Sequence, residues 1–368
     1  MVRIGIDYTA GLNQQAGVGR LTRQLMSALF ELDRTDDYRL LYARSPTTDL
    51  AAMPDKPNVR ARVLPLPERW QNIAWHRARL PLWADVLAGG VDVFHSPDFV
   101  LAPVLHARSV VTVHDLTFVI RPECAAPSLR RYLSAVVPRS VRHADRVLAD
   151  SQATAEDLMR LYSVPANKVD VIYCAADARF RPMPDAEAEA TLAGLEIARP
   201  FFLTVGTLEP RKNVSRLIDA FHTLDIPHHL VVVGARGWLY DDLLAKLSGR
   251  RILAPERVSD GQLVALYNLA DFVVLPSLYE GFGIPALEAM ACGTPVACSN
   301  VASLPEVVGG AGLTFDPEDS AAIAIAIRRL ATEPSLRHDL AQAGLAQALR
   351  FSWRDSARQL KQVYEGLA

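Results

Sequence analysis

Short apolar runs rich in Val, Ile and Leu alternate along the chain with amphipathic stretches of helical period, the pattern of parallel sheets covered by helices on both faces. In the first half the runs predict strands over 2–7, 38–43, 59–64, 91–94, 109–113, 145–149 and 169–172. The pattern then restarts. Strands are expected over 201–205, 229–233, 250–253, 271–275, 295–298 and 312–315, with helices such as 213–224, 261–269 and 285–291 between them. Each half therefore reads as a doubly wound α/β sheet. Between the halves, Arg179-Phe180-Arg181-Pro182-Met183-Pro184-Asp185 and the Ala/Glu stretch after it have the prolines and polarity of a linker, which places the boundary within 177–199. The expected division is a first domain over 1–180, a second over 181–350 and a terminal segment over 351–368.

The length of 368 residues suits two domains, and a 50% hydrophobic content gives each a sizeable core. A formal charge of −2 argues against a nucleic-acid binder, which needs many cations to displace condensed counterions. The four cysteines match neither a C-x-x-C pair nor a zinc framework and read as reduced thiols. No apolar run approaches the roughly 18 residues of a membrane helix. The chain opens on the strand pattern Val2-Arg3-Ile4-Gly5-Ile6-Asp7, leaving no room for a signal peptide, so a cytoplasmic, non-spanning protein is expected.

In doubly wound sheets ligands bind beyond the carboxyl ends of the strands, so chemistry is sought in the loops that follow them. After the run Phe272-Val273-Val274-Leu275 comes Pro276-Ser277-Leu278-Tyr279-Glu280-Gly281-Phe282-Gly283-Ile284-Pro285-Ala286-Leu287-Glu288-Ala289-Met290. Gly281 and Gly283 let backbone N–H groups approach a ligand, and the helix start adds partial positive charge. Glu280 and Glu288 suit a hydroxyl-rich ligand, since an ionised carboxylate accepts strong hydrogen bonds from a diol. The second segment is Val205-Gly206-Thr207-Leu208-Glu209-Pro210-Arg211-Lys212-Asn213, where two adjacent cations at a helix entry form a diphosphate clamp. Such fixed charge stabilises a departing nucleoside diphosphate when no metal does so.

The run E-G-F-G-x-P-x-L-E-A-M-A-C-G-T-P-V, with Glu280 and Glu288 at the two ends of its spacing, resembles the paired-glutamate motif of the family-4 retaining glycosyltransferases of GT-B architecture. The resemblance spans nearly the whole chain and is more specific in the second half. It implies two Rossmann-like α/β domains facing across a cleft, with a C-terminal helix that crosses back to the first. It also implies metal-independent transfer of a hexose, mannose from GDP-mannose being the leading expectation, to a glycan or lipid-linked acceptor. The roles it carries over are sugar binding by Glu280 and by Gly281, Phe282 and Gly283, ribose binding by Glu288, and phosphate binding by Arg211 and Lys212. The family has a matching G-x-x-x-x-x-K segment, here starting at Gly206, and Glu209 is expected to orient the two cations. No cofactor or metal is implied; the nucleotide-diphosphate sugar is a co-substrate. A sugar-nucleotide epimerase and a non-catalytic sugar-nucleotide-binding protein are the alternatives.

In the first half the signals are weaker. Gly17-Val18-Gly19-Arg20 lacks the third glycine of a dinucleotide fingerprint. By resemblance Gly17 and Gly19 face the donor phosphates, and a tight turn without a ligand is the competing reading. His114 ends a strand at the place of the family's active-site histidine, with Asp115 expected to orient it. His95 is an acceptor-side candidate, and Asp150-Ser151-Gln152-Ala153-Thr154 reads as a helix cap. Over 68–83, Trp70, Trp75 and Trp83 interleave with Arg69, Arg77 and Arg79. Buried tryptophans under a solvated basic face explain this, and peripheral contact with the inner membrane face is the alternative. Two departures from the family pattern stand out: Ala254-Pro255-Glu256-Arg257-Val258-Ser259-Asp260 lacks the usual glycine of the base-binding loop, and Tyr173-Cys174-Ala175-Ala176-Asp177 replaces an Asn-Gly turn.

Overall fold

The computed structural model describes residues 1–14, 17–77, 80–239, 241–249, 251–255 and 258–368. It divides into two units: residues 1–116, 131–174 and 352–368 form the first, and residues 117–130 and 175–351 the second. The segment 117–130 thus leaves its neighbours in sequence to join the second unit, and the last 17 residues return to the first, as the resemblance implies for the terminal helix.

The first unit contains a seven-stranded sheet of β1 (Arg3–Asp7), β2 (Asp37–Tyr42), β3 (Val59–Val63), β4 (Val93–Ser96), β5 (Arg108–Val113), β6 (Arg146–Ala149) and β7 (Val169–Val171), in the order β3-β2-β1-β4-β5-β6-β7. Every pairing is parallel. The second unit has a six-stranded sheet of β8 (Phe201–Val205), β9 (His229–Val233), β10 (Ile252–Leu253), β11 (Phe272–Leu275), β12 (Val296–Ser299) and β13 (Gly312–Phe315), ordered β10-β9-β8-β11-β12-β13 and again all parallel. Both orders reverse direction between the first and fourth strands, and that crevice is where such folds bind ligands. The central strands are continuous hydrophobic runs because helices cover both faces: all of β11 and β12 is buried. β3, at an edge, instead exposes Arg60 and Arg62, a charge pattern that discourages further pairing.

The C-terminal helix, Trp353–Glu365, buries Ala357, Leu360 and Tyr364 in the same core as Ile4, Ile6, Met26 and Phe30. Its Tyr364 hydroxyl lies 2.7 Å from His95 Nδ1, and Lys361 pairs with Asp33 at 2.9 Å. The expected linker is not a free tether. Met183 N–H donates to Asn268 Oδ1 at 2.8 Å, Phe180 packs edge-on to Tyr267, and the helix Asp185–Thr191 lies against the helix Asp260–Leu269 of the second unit.

Residues 68–83 do not form one helix. An α-helical turn over Glu68–Asn72 widens into a π-helix over Ile73–Arg77, and Leu80–Trp83 is non-helical. Trp70 is 57% exposed while Trp75 is buried, its indole N–H donating to the Leu82 carbonyl at 2.8 Å. Arg79 lies outside the described residues, as do Gln15, Ala16 and, in the loop expected to bind the base, Glu256 and Arg257. All four cysteines are free and buried. Among the described residues no helix is long and apolar enough to cross a membrane.

Candidate active site

β8 and β11 are hydrogen-bonded neighbours, so the loops that leave their carboxyl ends meet at the crevice of the second sheet. After β8 the chain makes a 3₁₀ turn over Pro210–Lys212, and Asn213, in the left-handed region at φ 56°, turns it into the helix Val214–His222. The Asn213 amide donates to the carbonyls of Pro276 (2.9 Å) and Pro317 (2.8 Å), and Leu278 N–H donates to the Arg211 carbonyl at 2.8 Å, fixing the two loops against each other.

Four charged side chains are thereby brought together. Glu280 accepts from Arg211 Nη1 at 2.5 Å, from Lys212 Nζ at 2.5 Å and from the Ser277 hydroxyl at 2.6 Å. Arg211 also donates to Glu209 (2.6 and 3.0 Å) and to the Tyr279 carbonyl at 3.0 Å. Burial by itself would raise the Glu280 carboxyl; Arg211 and Lys212 overcome it and hold the group at about 2. The same burial lowers Lys212 from its ordinary value against the pull of Glu280, and raises Glu209 against the pull of Arg211. Two acidic and two basic side chains thus stand against one another. An ionised carboxylate has about four acceptor positions, and Glu280 uses three, leaving room for one more hydroxyl donor.

Gly206 lies under this cluster. A β-carbon there would come 3.0 Å from Lys212 Cε, so the lysine stem rests where any other residue would carry its side chain. At Gly283 the backbone takes φ 118°, a conformation that favours glycine, and starts the helix Ile284–Ala291. The Ser303 hydroxyl bridges the carbonyls of Glu280 (2.8 Å) and Phe282 (2.6 Å), clamping Gly281 between them. Phe282 itself is buried against Phe351, so its side chain is committed to packing, a distinction the sequence did not make. Glu288 is buried in the second turn of the helix, and the Tyr267 hydroxyl donates to it at 3.1 Å. Ser277, Ser303, Tyr267 and Asn213 are therefore parts of the site that residue-type reasoning passed over. Only Asn213, which follows the two cations directly, had a sequence signal.

In the first unit, Val113 pairs with Ala149, so His114 and Asp150 are the next residues beyond two neighbouring strands. His114 Nδ1 lies 2.7 Å from Asp150 Oδ2, and Nε2 lies 2.8 Å from the Pro97 carbonyl. Both partners only accept, so both ring nitrogens carry hydrogen and the ring is an imidazolium. Burial opposes this charge, but Asp150, with help from Asp98, raises the group to about 9. The carboxylate that orients the ring is therefore Asp150 and not Asp115, because strand register outweighs adjacency in sequence. Ser151 still caps the helix Gln152–Tyr162, accepting from Thr154 N–H at 3.1 Å.

His95, expected on the acceptor side, is instead a fully buried strut between Tyr364 and Thr112, kept neutral by burial that lowers it to about 3. At Gly19 a β-carbon would meet the Gln14 carbonyl oxygen at 2.1 Å, which makes this glycine a packing requirement of its own turn. Gly17 is exposed at φ 56° with open space around its α-carbon.

Two Rossmann-like units, each built on an all-parallel sheet, one with a charge cluster at its switch point, belong to the class of GT-B enzymes. The profile for Glycosyltransferase Family 4 matches residues 16–180, and that for Glycosyl transferases group 1 matches residues 193–347. The O-antigen chain mannosyltransferase B of Escherichia coli is 34% identical over 95% of this chain and 96% of its own length. Among solved structures, sucrose-phosphate synthase from Thermosynechococcus elongatus superposes with a TM-score of 0.80 at 24% identity, covering 100% of this chain and 99% of its own. HepE from Anabaena, solved in complex with UDP-glucose, superposes with a TM-score of 0.75 at 19% identity over 100% of both chains. The chain belongs to the family-4 glycosyltransferases and is a glycosyltransferase of GT-B fold.

Proposed function

We propose that this enzyme transfers a hexose from a nucleotide-diphosphate sugar to a glycan or lipid-linked acceptor, with retention of configuration and without a metal, and that the donor is GDP-mannose. The observation that carries the reading is the Glu209–Arg211–Glu280–Lys212 cluster where β8 and β11 meet. Arg211 and Lys212 are the donor-phosphate ligands in this reading, already held in place by carboxylates, so little reorganisation accompanies charge development on the leaving diphosphate. The remaining acceptor position of Glu280 and the N–H groups of Gly281, Phe282 and Gly283 take the sugar, and Glu288 takes the ribose. Gly206 gives the lysine stem its space. Within the first unit His114 is a fixed positive charge; with both nitrogens engaged it has no lone pair to take a proton and does not act as a base. Gly17 is the ligand-facing glycine of its loop, and Gly19 supports the turn. Mannose is favoured by the likeness to the mannosyltransferase over nearly the whole of both chains. Attachment to a membrane surface near residues 68–83 belongs to the same proposal.

A panel of nucleotide sugars tested by thermal shift identifies the donor, because a ligand bound only by the folded state raises the melting temperature by mass action. GDP-mannose should give the largest shift. NMR of the product should show the anomeric configuration of the donor, and activity should survive a chelator. A larger shift with another base, an inverted product, or loss of turnover restored by manganese removes the corresponding part of the proposal.

A further inference from the structure

Away from the cluster, the first unit holds a cavity of about 460 Å³, within the roughly 300–1,000 Å³ range of small-molecule sites. Trp75, Leu80, Trp83, Val104 and Val136 supply apolar walls. Two of the polar groups inside already have partners: the Trp75 indole N–H is bonded to Leu82, and the Ser140 hydroxyl donates to Val136 and accepts from Leu101. Burial holds His76, also in the wall, down at about 4, so it is neutral at physiological pH. The lining's permanent charge is therefore the guanidinium of Arg139 at the rim, where His143 is also exposed.

Those two belong to the helix Pro127–His143, which from Arg131 onward carries Arg131, Arg139, Arg142 and His143 and no Asp or Glu. No described carboxylate pairs with Arg139 or Arg142. Leu80 is 47% exposed in the cavity wall, and Trp70 is exposed one helical turn before Ala74. Ser109, near the start of β5, lines the cavity, whereas His114 follows the end of that strand. Five residue steps along the strand, about 16 Å, separate the two.

We infer that this cavity receives one aliphatic chain of an anionic membrane phospholipid, whose phosphate lies against Arg139 and His143. An uncharged, indole-walled interior beneath an unpaired cationic rim matches an apolar chain with a phosphate head, and does not match a sugar. The distance from His114 makes the bound lipid an anchor and not the carrier of the acceptor. The site is independent of the donor assignment, since its probe contains no nucleotide.

The test uses the full chain. Dodecyl phosphate should raise its melting temperature saturably, and inorganic phosphate should not. In flotation at low salt the protein should rise with phosphatidylglycerol-containing vesicles and not with pure phosphatidylcholine. Val104→Phe, which fills the cavity and leaves every charge in place, and Arg139→Glu should each weaken dodecyl phosphate binding and flotation at least tenfold, with turnover of a water-soluble acceptor unchanged. Flotation of Val104→Phe at the wild-type level would mean adsorption by surface charge alone and overturns the inference. So does a loss of turnover confined to a lipid-linked acceptor with flotation intact, which would make the cavity an acceptor subsite. If Val104→Phe does not fold, Arg139→Glu with the dodecyl phosphate titration decides.

Discussion

The carboxyl edges of the two sheets solve the same electrostatic problem in different ways. In the second unit Glu209, Arg211, Lys212 and Glu280 share one network, in which each cation has a carboxylate and Glu280 serves both. In the first unit a single buried pair, His114 with Asp150, stands between two strand ends, closed on its other side by the Pro97 carbonyl. A shared network can release one contact to a ligand and keep the others, whereas an isolated pair has nothing to release. The edge in the second unit therefore presents charges able to change partner, and the edge in the first unit a charge that stays fixed. Breaking a buried pair by removing one member is costly because the other is left uncompensated.

The largest effect should come from the network. Glu280→Gln leaves Arg211 and Lys212 without their common carboxylate and should destabilise the enzyme by about 3–5 kcal/mol, read from urea unfolding. Lys212→Ala should lower kcat about 10²- to 10³-fold while the fold survives, since Arg211 retains both of its carboxylates. A rise in donor KM with kcat unchanged would instead assign Lys212 to ground-state binding.

Asp150→Asn tests the isolated pair. The His114 value is about 9 in the folded chain against an ordinary 6.5, so the pair stabilises the fold fully below pH 6.5, and the contribution fades as pH rises through 9. The shift corresponds to a few kcal/mol, on the order of 3, lost in the variant at pH 6. Above pH 9 the variant and the parent should converge. A difference independent of pH would mean that the ring is not held as an imidazolium.

Smaller effects sharpen the distinction between packing and chemistry in the first unit. Gly19→Ala should cost about 1–3 kcal/mol through the clash with the Gln14 carbonyl. Its kcat/KM for the donor should stay at the parental value; a selective rise in donor KM would restore Gly19 to the phosphate site. Tyr364→Phe, which removes the hydroxyl bonded to His95, should cost only about 1 kcal/mol by thermal unfolding, because the ring stays packed in the core.

Much was legible in the sequence because the information was local. Strands such as 201–205, 229–233 and 312–315 have the bounds that the apolar pattern predicts, since mainly hydrophobic runs bounded by polar turns specify such elements without reference to the rest of the chain. Glu209, Arg211, Lys212 and Glu280 lie in two short segments, each directly after a predicted strand, so their common destination followed from the strand-end rule. Tertiary structure decided what depended on register and on distant packing. The choice of Asp150 over Asp115 rests on the pairing of Val113 with Ala149, the burial of His95 rests on Tyr364 in the terminal helix, and the separation of Phe282's side chain from its main chain rests on Phe351. A residue's chemical type is fixed by the chain, but its partners, and hence its charge state and exposure, are set by residues that only folding brings near.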